Sequence, residues 1–325
     1  MLEVSQLSRR YGEYLAVDSV SFSISKGEIV GLLGHNGAGK TTIMKMLSGF
    51  LEPDHGKVMV DGLDLAQHTK KIQHSLGYLP ENLPVYPEMT VADYLDYAAD
   101  LKGLAGNHKR EEIKRVIGAT DIGAKLNATI ATLSRGFKQR VGVAQAILGR
   151  PKVLILDEPS NGLDPEQTLQ MRALIREIAR DATVILSTHI MQEVEALCSR
   201  VLLVRSGQLA VDAKLSELCQ SNRILLDTSL PSADKELLAQ LTDVLSVELL
   251  PSSTPSAGDP SPCFRYAIAI APEANQRALC ARIAKKLVNA NHQLWQLTPE
   301  QRDLETLFKA ANTRQQSVQE VNRAA

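Results

Sequence analysis

Cysteine is scarce in this chain: Cys198, Cys219, Cys263 and Cys280 are the four in 325 residues, and no two form a C-x-x-C pair. That spacing argues against a disulfide framework or a zinc site and leaves reduced thiols of a cytosolic protein as the expectation. An excess of either charge is also missing. Lys and Arg number 36 against 37 Asp and Glu, a formal net charge of -1, so no global electrostatic pull toward nucleic acid is expected. No apolar run approaches the ~20 residues that cross a bilayer. The opening Met1-Leu2-Glu3-Val4-Ser5 lacks the basic and apolar regions of a signal peptide. If the protein works at a membrane, another chain is expected to supply the spanning part.

What the chain does have is Gly34-His35-Asn36-Gly37-Ala38-Gly39-Lys40-Thr41-Thr42, a fit to the phosphate-loop pattern G-x-x-x-x-G-K-[ST]. Its setting fits too. Glu28 to Leu33 has the character of a short buried strand, and Ile43 to Leu47 that of the first turns of a helix. Glycines let the backbone wrap phosphate oxygens so that successive N–H groups and the helix N-terminus face the anion. Lys40 is expected to reach the β- and γ-phosphates and the Thr41 hydroxyl to ligate Mg²⁺, which makes the chain a nucleoside-triphosphate binder.

Organisation follows from pattern. Residues 1 to about 80 hold short strand-like runs, among them the strictly alternating Val20 to Ile24 and Lys57 to Gly62 with its Asp-Gly turn. Val91 to Ala99 and Glu111 to Ile117 have helical spacing, with Gly103 and Gly106 as breakers between them. Strand and helix then alternate: Val153 to Leu156, Glu166 to Ala179, Thr183 to Ser187, Met191 to Cys198 and Val201 to Val204. This rhythm predicts a mostly parallel sheet covered by helices. A second unit is expected from about Arg223. Strands at Ile224–Leu226, Val244–Leu250, Phe264–Ile270 and Gln293–Leu297, with helices at Ala233–Leu241 and Glu273–Val288, suggest a small α/β sandwich. A polar Pro/Ser loop at 251–262 interrupts it, and the residues from Ala311 read as disorder or a frayed helix.

Val153-Leu154-Ile155-Leu156-Asp157-Glu158 is an apolar strand ending in two carboxylates, the edge at which open α/β sheets hold ligands. Asp157 is placed to hold Mg²⁺ through water and Glu158 to polarise the water that attacks the γ-phosphate. With these acids, the chain resembles the nucleotide-binding subunit of an ABC transporter over residues 1 to about 220. Leu133-Ser134-Arg135-Gly136-Phe137-Lys138-Gln139-Arg140 is similar to the family's L-S-G-G-Q signature, with Arg135 and Phe137 as departures. The resemblance implies that Ser134 and Gly136 grip the γ-phosphate held by the other subunit. Asn161-Gly162-Leu163-Asp164 resembles the D-loop, His189 the switch histidine, and Tyr11 the aromatic that stacks on adenine. Where the family carries its Q-loop glutamine, this sequence has Glu81. A carboxylate there either ligates Mg²⁺ or is solvated, the metal then resting on Thr41 and water. Glu at this place fits the ATPases of ABC-2-type exporters, the gliding-motility-type group in particular.

The resemblance therefore implies an α/β, P-loop NTPase (ABC ATPase) core at residues 1–220 with a helical subdomain at about 85–145. It further implies a small C-terminal α/β accessory domain at 221–310 that regulates or strengthens dimerisation, and a polar tail at 311–325. ATP and Mg²⁺ are the implied cofactors. A homodimer around two ATP and ABC-2-type integral membrane permease subunits on the cytoplasmic face of the inner membrane are the implied partners, with no nucleic acid. Leu83 to Met89 is the candidate contact for a permease's short coupling helix, or else a loop folded back on its own core. The alternative within the family is an ABC ATPase that moves a membrane or soluble partner without transporting anything.

Overall fold

The computed structural model describes residues 1–83, 85–251, 263–301 and 304. It divides into two compact units, Met1–Leu215 and Ser216–Ala325.

The first unit is built on a six-stranded sheet. Its order is Gln208–Lys214, Arg200–Arg205, Ile29–Leu33, Thr183–Ser187, Val153–Asp157, Leu76–Leu79. Every neighbouring pair is parallel except Gln208–Lys214 with Arg200–Arg205. The central strands Ile29–Leu33, Val153–Asp157 and Thr183–Ser187 are buried at every position. Continuous apolar runs such as Val-Leu-Ile-Leu suit that place, because a parallel strand is covered on both faces. The parallel direction has a functional consequence. Residues that follow Leu33, Leu79, Asp157 and Ser187 emerge at one edge, and all the sequence motifs but the signature and Tyr11 lie there or just beyond.

The early strands do not join that sheet. Tyr14–Ile24, Leu2–Tyr11, His55–Val60 and Leu63–Asp64 form a separate four-stranded antiparallel sheet in that order. Strict alternation is the reason: Val20, Phe22 and Ile24 point into the core and Ser21 and Ser23 away from it. The helix Lys40–Leu47 packs into the core that both sheets share, burying Ile43, Met44, Met46 and Leu47 against Val4, Val58, Ile155 and Leu202. Burial of this face anchors the phosphate loop from behind.

Three helices, Val91–Leu101, Gly106–Thr120 and Arg135–Ala146, occupy the stretch read as helical. Thr90 caps the first by accepting the Asp93 N–H at 3.1 Å. Gly106, expected as a breaker, is instead the first residue of the second helix. A helix start leaves its first N–H groups free in any case, so glycine's lost helical preference costs least there.

The second unit is a four-stranded antiparallel sheet ordered Val244–Leu250, Phe264–Ile270, Gln220–Thr228, Leu294–Gln301. The helix Gln276–Asn289 covers one face through Leu279, Ile283 and Leu287. That helix starts three residues later than read because Asn275 caps it, accepting the Ala278 N–H at 3.1 Å. The expected helix at 233–241 is a 3₁₀ turn, Ser232–Asp234, followed by the short Glu236–Ala239 helix. The Pro/Ser loop, apart from Pro251, and the tail lie outside the described residues.

Candidate functional site

The phosphate loop runs from the end of Ile29–Leu33 to the start of Lys40–Leu47. Gly37 and Gly39 take positive φ, 80° and 108°, and a Cβ on Gly39 would stand 2.6 Å from the Ala16 carbonyl oxygen. Gly34 opens the turn, His35, Asn36 and Gly37 are exposed, and Ala38 is buried with its N–H on the His35 carbonyl at 3.1 Å. The Lys40 ammonium is folded into the loop, donating to the carbonyls of Gly34 (2.7 Å) and His35 (3.0 Å). Burial lowers its proton affinity below the ordinary lysine value, and the charges of Glu158, Asp157 and Glu81 pull it back up. Thr41 and Thr42 form the next half-buried positions of the helix.

Asp157 closes the Val153–Asp157 strand and is 3% exposed. The Ser187 hydroxyl donates to its Oδ1, and the Thr41 hydroxyl stands 3.5 Å from its Oδ2. Two hard oxygen donors side by side fit Mg²⁺, which prefers few carboxylates and completes its shell from phosphates and water. Among the described residues no group of three or more His, Cys, Asp or Glu is arranged to hold a metal ion. Glu81 is exposed and lies close enough for its charge to act on Lys40.

Glu158 has a left-handed backbone, φ 53°, a conformation that L-residues adopt only when their surroundings enforce it. Its N–H donates to the Ser187 carbonyl (3.1 Å) and its own carbonyl accepts from Asn161 N–H (3.1 Å). His189 Nδ1 stands 2.9 Å from Glu158 Oε2, the imidazole largely exposed and the carboxylate largely buried. Burial raises the Glu158 carboxyl above the usual carboxylate range, and the His189 contact opposes that rise. Behind His189, Thr188 turns the chain. Its hydroxyl donates to buried Glu193 (3.1 Å) and accepts the Ile190 N–H (3.1 Å).

The signature residues stand apart. Ser134 caps Arg135–Ala146, accepting the Phe137 N–H at 3.3 Å, and among the described residues no hydrogen bond joins it to the phosphate loop. Gly136 is packed so closely that a Cβ would lie 3.0 Å from the Gly162 carbonyl oxygen and 3.0 Å from Gln167 Oε1. The two departures have concrete surroundings. The Arg135 stem lies over Gly162, and Phe137 receives the Arg140 guanidinium 4.2 Å above its ring. Asp164 spends its carboxylate on capping Pro165–Ala179, accepting the Gln167 N–H at 2.8 Å. Tyr11 ends its strand 47% exposed, with the Arg9 guanidinium 5.4 Å over the ring, so its face is open to a planar ligand only on one side.

Leu83 is turned onto the core: Gly142 lacks a side chain where Leu83 and Leu79 pack, and a Cβ there would meet Leu83 Cδ2 at 2.8 Å. Tyr86 stays 45% exposed, edge-on to Tyr97 at 5.7 Å. The loop thus splits between the two readings, with Pro84 outside the described residues. Four side chains that sequence motifs did not single out complete the site. Tyr14 donates its hydroxyl to the Gly37 carbonyl (3.1 Å). Ser187 holds Asp157, Gln139 donates to the Glu158 carbonyl (2.9 Å), and Glu193 holds Thr188. Ser187, Gln139 and Glu193 sat within stretches read as strand, signature or helix, and none of these residue types signals such a bond.

Residues 17–161 match the family described as ABC transporter. The uncharacterized ABC transporter ATP-binding protein YxlF of Bacillus subtilis is 36% identical over 224 residues, 69% of this chain and 74% of that one. The bacitracin transport ATP-binding protein BcrA of Bacillus licheniformis is 33% identical over 253 residues, 77% of this chain and 82% of that one. A solved ATP-binding subunit of an ABC transporter shares 30% identity and superposes with a TM-score of 0.63, covering 67% of this chain and 91% of that chain. A phosphate loop, two strand-end acids and a histidine at one edge of a parallel sheet agree with those likenesses: the chain belongs to the ATP-binding, ATP-hydrolysing subunits of ABC transporters.

Proposed function

We propose that this chain drives an exporter of the ABC-2 type, acting as a homodimer around two ATP on the cytoplasmic face of a membrane and coupled to separate permease subunits. Among the described residues no helix is long and apolar enough to cross a membrane, which is consistent with spans supplied by another chain. BcrA is a bacitracin transport ATP-binding protein, a likeness that favours a transport role. The dimer follows from the signature. Ser134 and Gly136 head a helix that, among the described residues, has no hydrogen bond to this chain's own phosphate loop, which supports an anion site offered to a second copy.

Within each site the roles divide by chemistry. Lys40 exchanges the Gly34 and His35 carbonyls for β- and γ-phosphate oxygens. The backbone of Gly34, Asn36, Gly37, Ala38 and Gly39 cradles the phosphates, Thr42 continues the cradle, and Tyr11 takes the adenine. Thr41, Asp157 and Glu81 would hold Mg²⁺, which would neutralise charge on the phosphates. Glu158 accepts the proton of the attacking water as its oxygen bonds to the γ-phosphorus. The bond to the bridging oxygen breaks, and ADP and phosphate leave. His189 orients the Glu158 carboxylate and stands ready for the γ-phosphate. Asp164 shapes the loop facing the partner. Differential affinity of ATP for the closed dimer provides the stroke.

The observation that carries this reading is the pair Glu158 and His189, 2.9 Å apart beside Asp157 and the phosphate loop. The test is a pull-down from detergent-solubilised native membranes with Glu158→Gln, which should bind ATP without hydrolysing it. Stoichiometric recovery of an integral membrane protein is expected. Recovery of ribosomes, nucleic acid or nothing would refute the coupling to a permease.

A further inference from the structure

Glu158 carries its carboxylate on a backbone that the chain would not adopt unaided, and the bonds that hold it come from three directions. Its N–H is taken by Ser187 of the neighbouring strand and its carbonyl by the N–H of Asn161, both at 3.1 Å. A further bond, on the carbonyl side, is a side chain's. Gln139, 8% exposed, sends Nε2 to the same Glu158 carbonyl at 2.9 Å. Gln139 belongs to Arg135–Ala146, the helix capped by Ser134, so a rigid element from outside the sheet ends on the peptide plane that follows Glu158. That plane turns about ψ of Glu158, so a plane pinned by Gln139 and Asn161 holds the Cα that carries the carboxylate from its C-terminal side, as Ser187 holds it from the N-terminal side. On the N–H side Ser187 adds its hydroxyl, which also accepts the Glu158 N–H at 3.3 Å; on the carbonyl side Asn161 acts through a main-chain group that any non-proline residue would supply. The Gln139 bond requires an amide of this length.

We propose that Gln139 is a positioning residue for Glu158: its amide fixes the peptide plane after Glu158 and thereby ties the carboxylate to the helix begun at Ser134. This rests on the reading of Glu158 as the base for the attacking water. In the proposed dimer the same helix carries Ser134 to the partner's nucleotide. Gln139 is then the mechanical link by which occupancy of one site sets the geometry of the carboxylate at the other.

The test uses the full chain and the substitution Gln139→Met, which keeps length and loses the donor, with Gln139→Leu as a second apolar variant. Turnover is read from phosphate release at saturating ATP, affinity from equilibrium binding of ATP, and integrity from the melting temperature. The expected result is a fall of about tenfold in kcat, the scale of one lost hydrogen bond at a carbonyl that keeps the Asn161 N–H, with ATP affinity and melting temperature close to those of the unsubstituted chain. Added to Glu158→Gln, the Gln139→Met substitution should leave the residual turnover unchanged, because no carboxylate remains to be placed. Full turnover in Gln139→Met beside an inactive Glu158→Gln overturns the proposal alone. So does a parallel loss of affinity, melting temperature and kcat, or an equal fall in the Glu158→Gln background. A fully active Glu158→Gln overturns the reading of Glu158 and this proposal with it.

Discussion

Gly37 and Gly39 stand two residues apart in one loop and both have positive φ, yet alanine should cost very different amounts at the two positions. At Gly37, φ is 80° and nothing lies within 4 Å of an added Cβ. The cost there is conformational, about 1–2 kcal/mol for an L-residue forced out of its preferred regions. At Gly39, φ is 108°, farther from the left-handed well, and the Cβ would stand 2.6 Å from a main-chain oxygen, Ala16 O, that no rotamer change can move. Overpacking of this kind adds about 1–3 kcal/mol to the strain, so Gly39→Ala should cost about 2–5 kcal/mol in all. ATP binding is the wrong assay, because a Cβ at either position also confronts phosphate oxygens. Urea unfolding of the nucleotide-free protein, followed by circular dichroism, isolates the intrinsic cost. The single tryptophan, Trp295, lies in the second unit and reports on that unit by fluorescence. Gly39→Ala should shift the dichroism transition well below that of Gly37→Ala and leave the Trp295 transition in place. Equal shifts from the two substitutions would refute the steric argument, since strain alone would then account for both.

Three further outcomes are expected. Tyr14→Phe removes a half-exposed hydroxyl bond to the Gly37 carbonyl and should weaken ATP binding by a few fold, about 0.5–1 kcal/mol, measurable by titration with a fluorescent analogue. Lys102 donates to the carbonyls of Gln73 (2.8 Å) and Leu76, and burial pushes its pKa down from 10.5 to about 8. Between those values the unfolded chain holds the proton and the folded chain does not, so stability should rise with pH from about 8 to 10.5 by up to about 3 kcal/mol. Lys102→Met should flatten that slope in urea titrations across the same window, and an unchanged slope would refute the assignment. Glu81→Gln should raise the Mg²⁺ concentration for half-maximal ATP hydrolysis several fold if Glu81 completes the metal site with Thr41 and Asp157, and an unchanged requirement would return Glu81 to solvent.

Local pattern determined a good deal of this protein. The phosphate loop, the buried strand ending in Asp157 and Glu158, and the signature-like segment at Leu133–Arg140 were legible because each depends on neighbours within a few residues: small residues for a tight wrap, an apolar run before an acid, Ser134 and Gly136 two residues apart. Continuous against alternating hydrophobicity likewise separated Val153–Asp157 from Val20–Ile24, although only the fold showed that the two kinds of strand build separate sheets. What the sequence left open depends on groups far apart in the chain. Gln139 and Glu158 are 19 residues apart, Tyr14 and Gly37 23, Thr41 and Asp157 116. Glutamine, tyrosine and serine have no spacing rule that announces a bond to a distant carbonyl or carboxylate. Such bonds exist only once parallel strands bring their ends to one edge and burial penalises polar groups there that lack a partner. The sequence therefore settles which chemistry the chain carries, and the tertiary structure decides which side chains hold that chemistry in place, because desolvation acts only on groups the fold has already brought together.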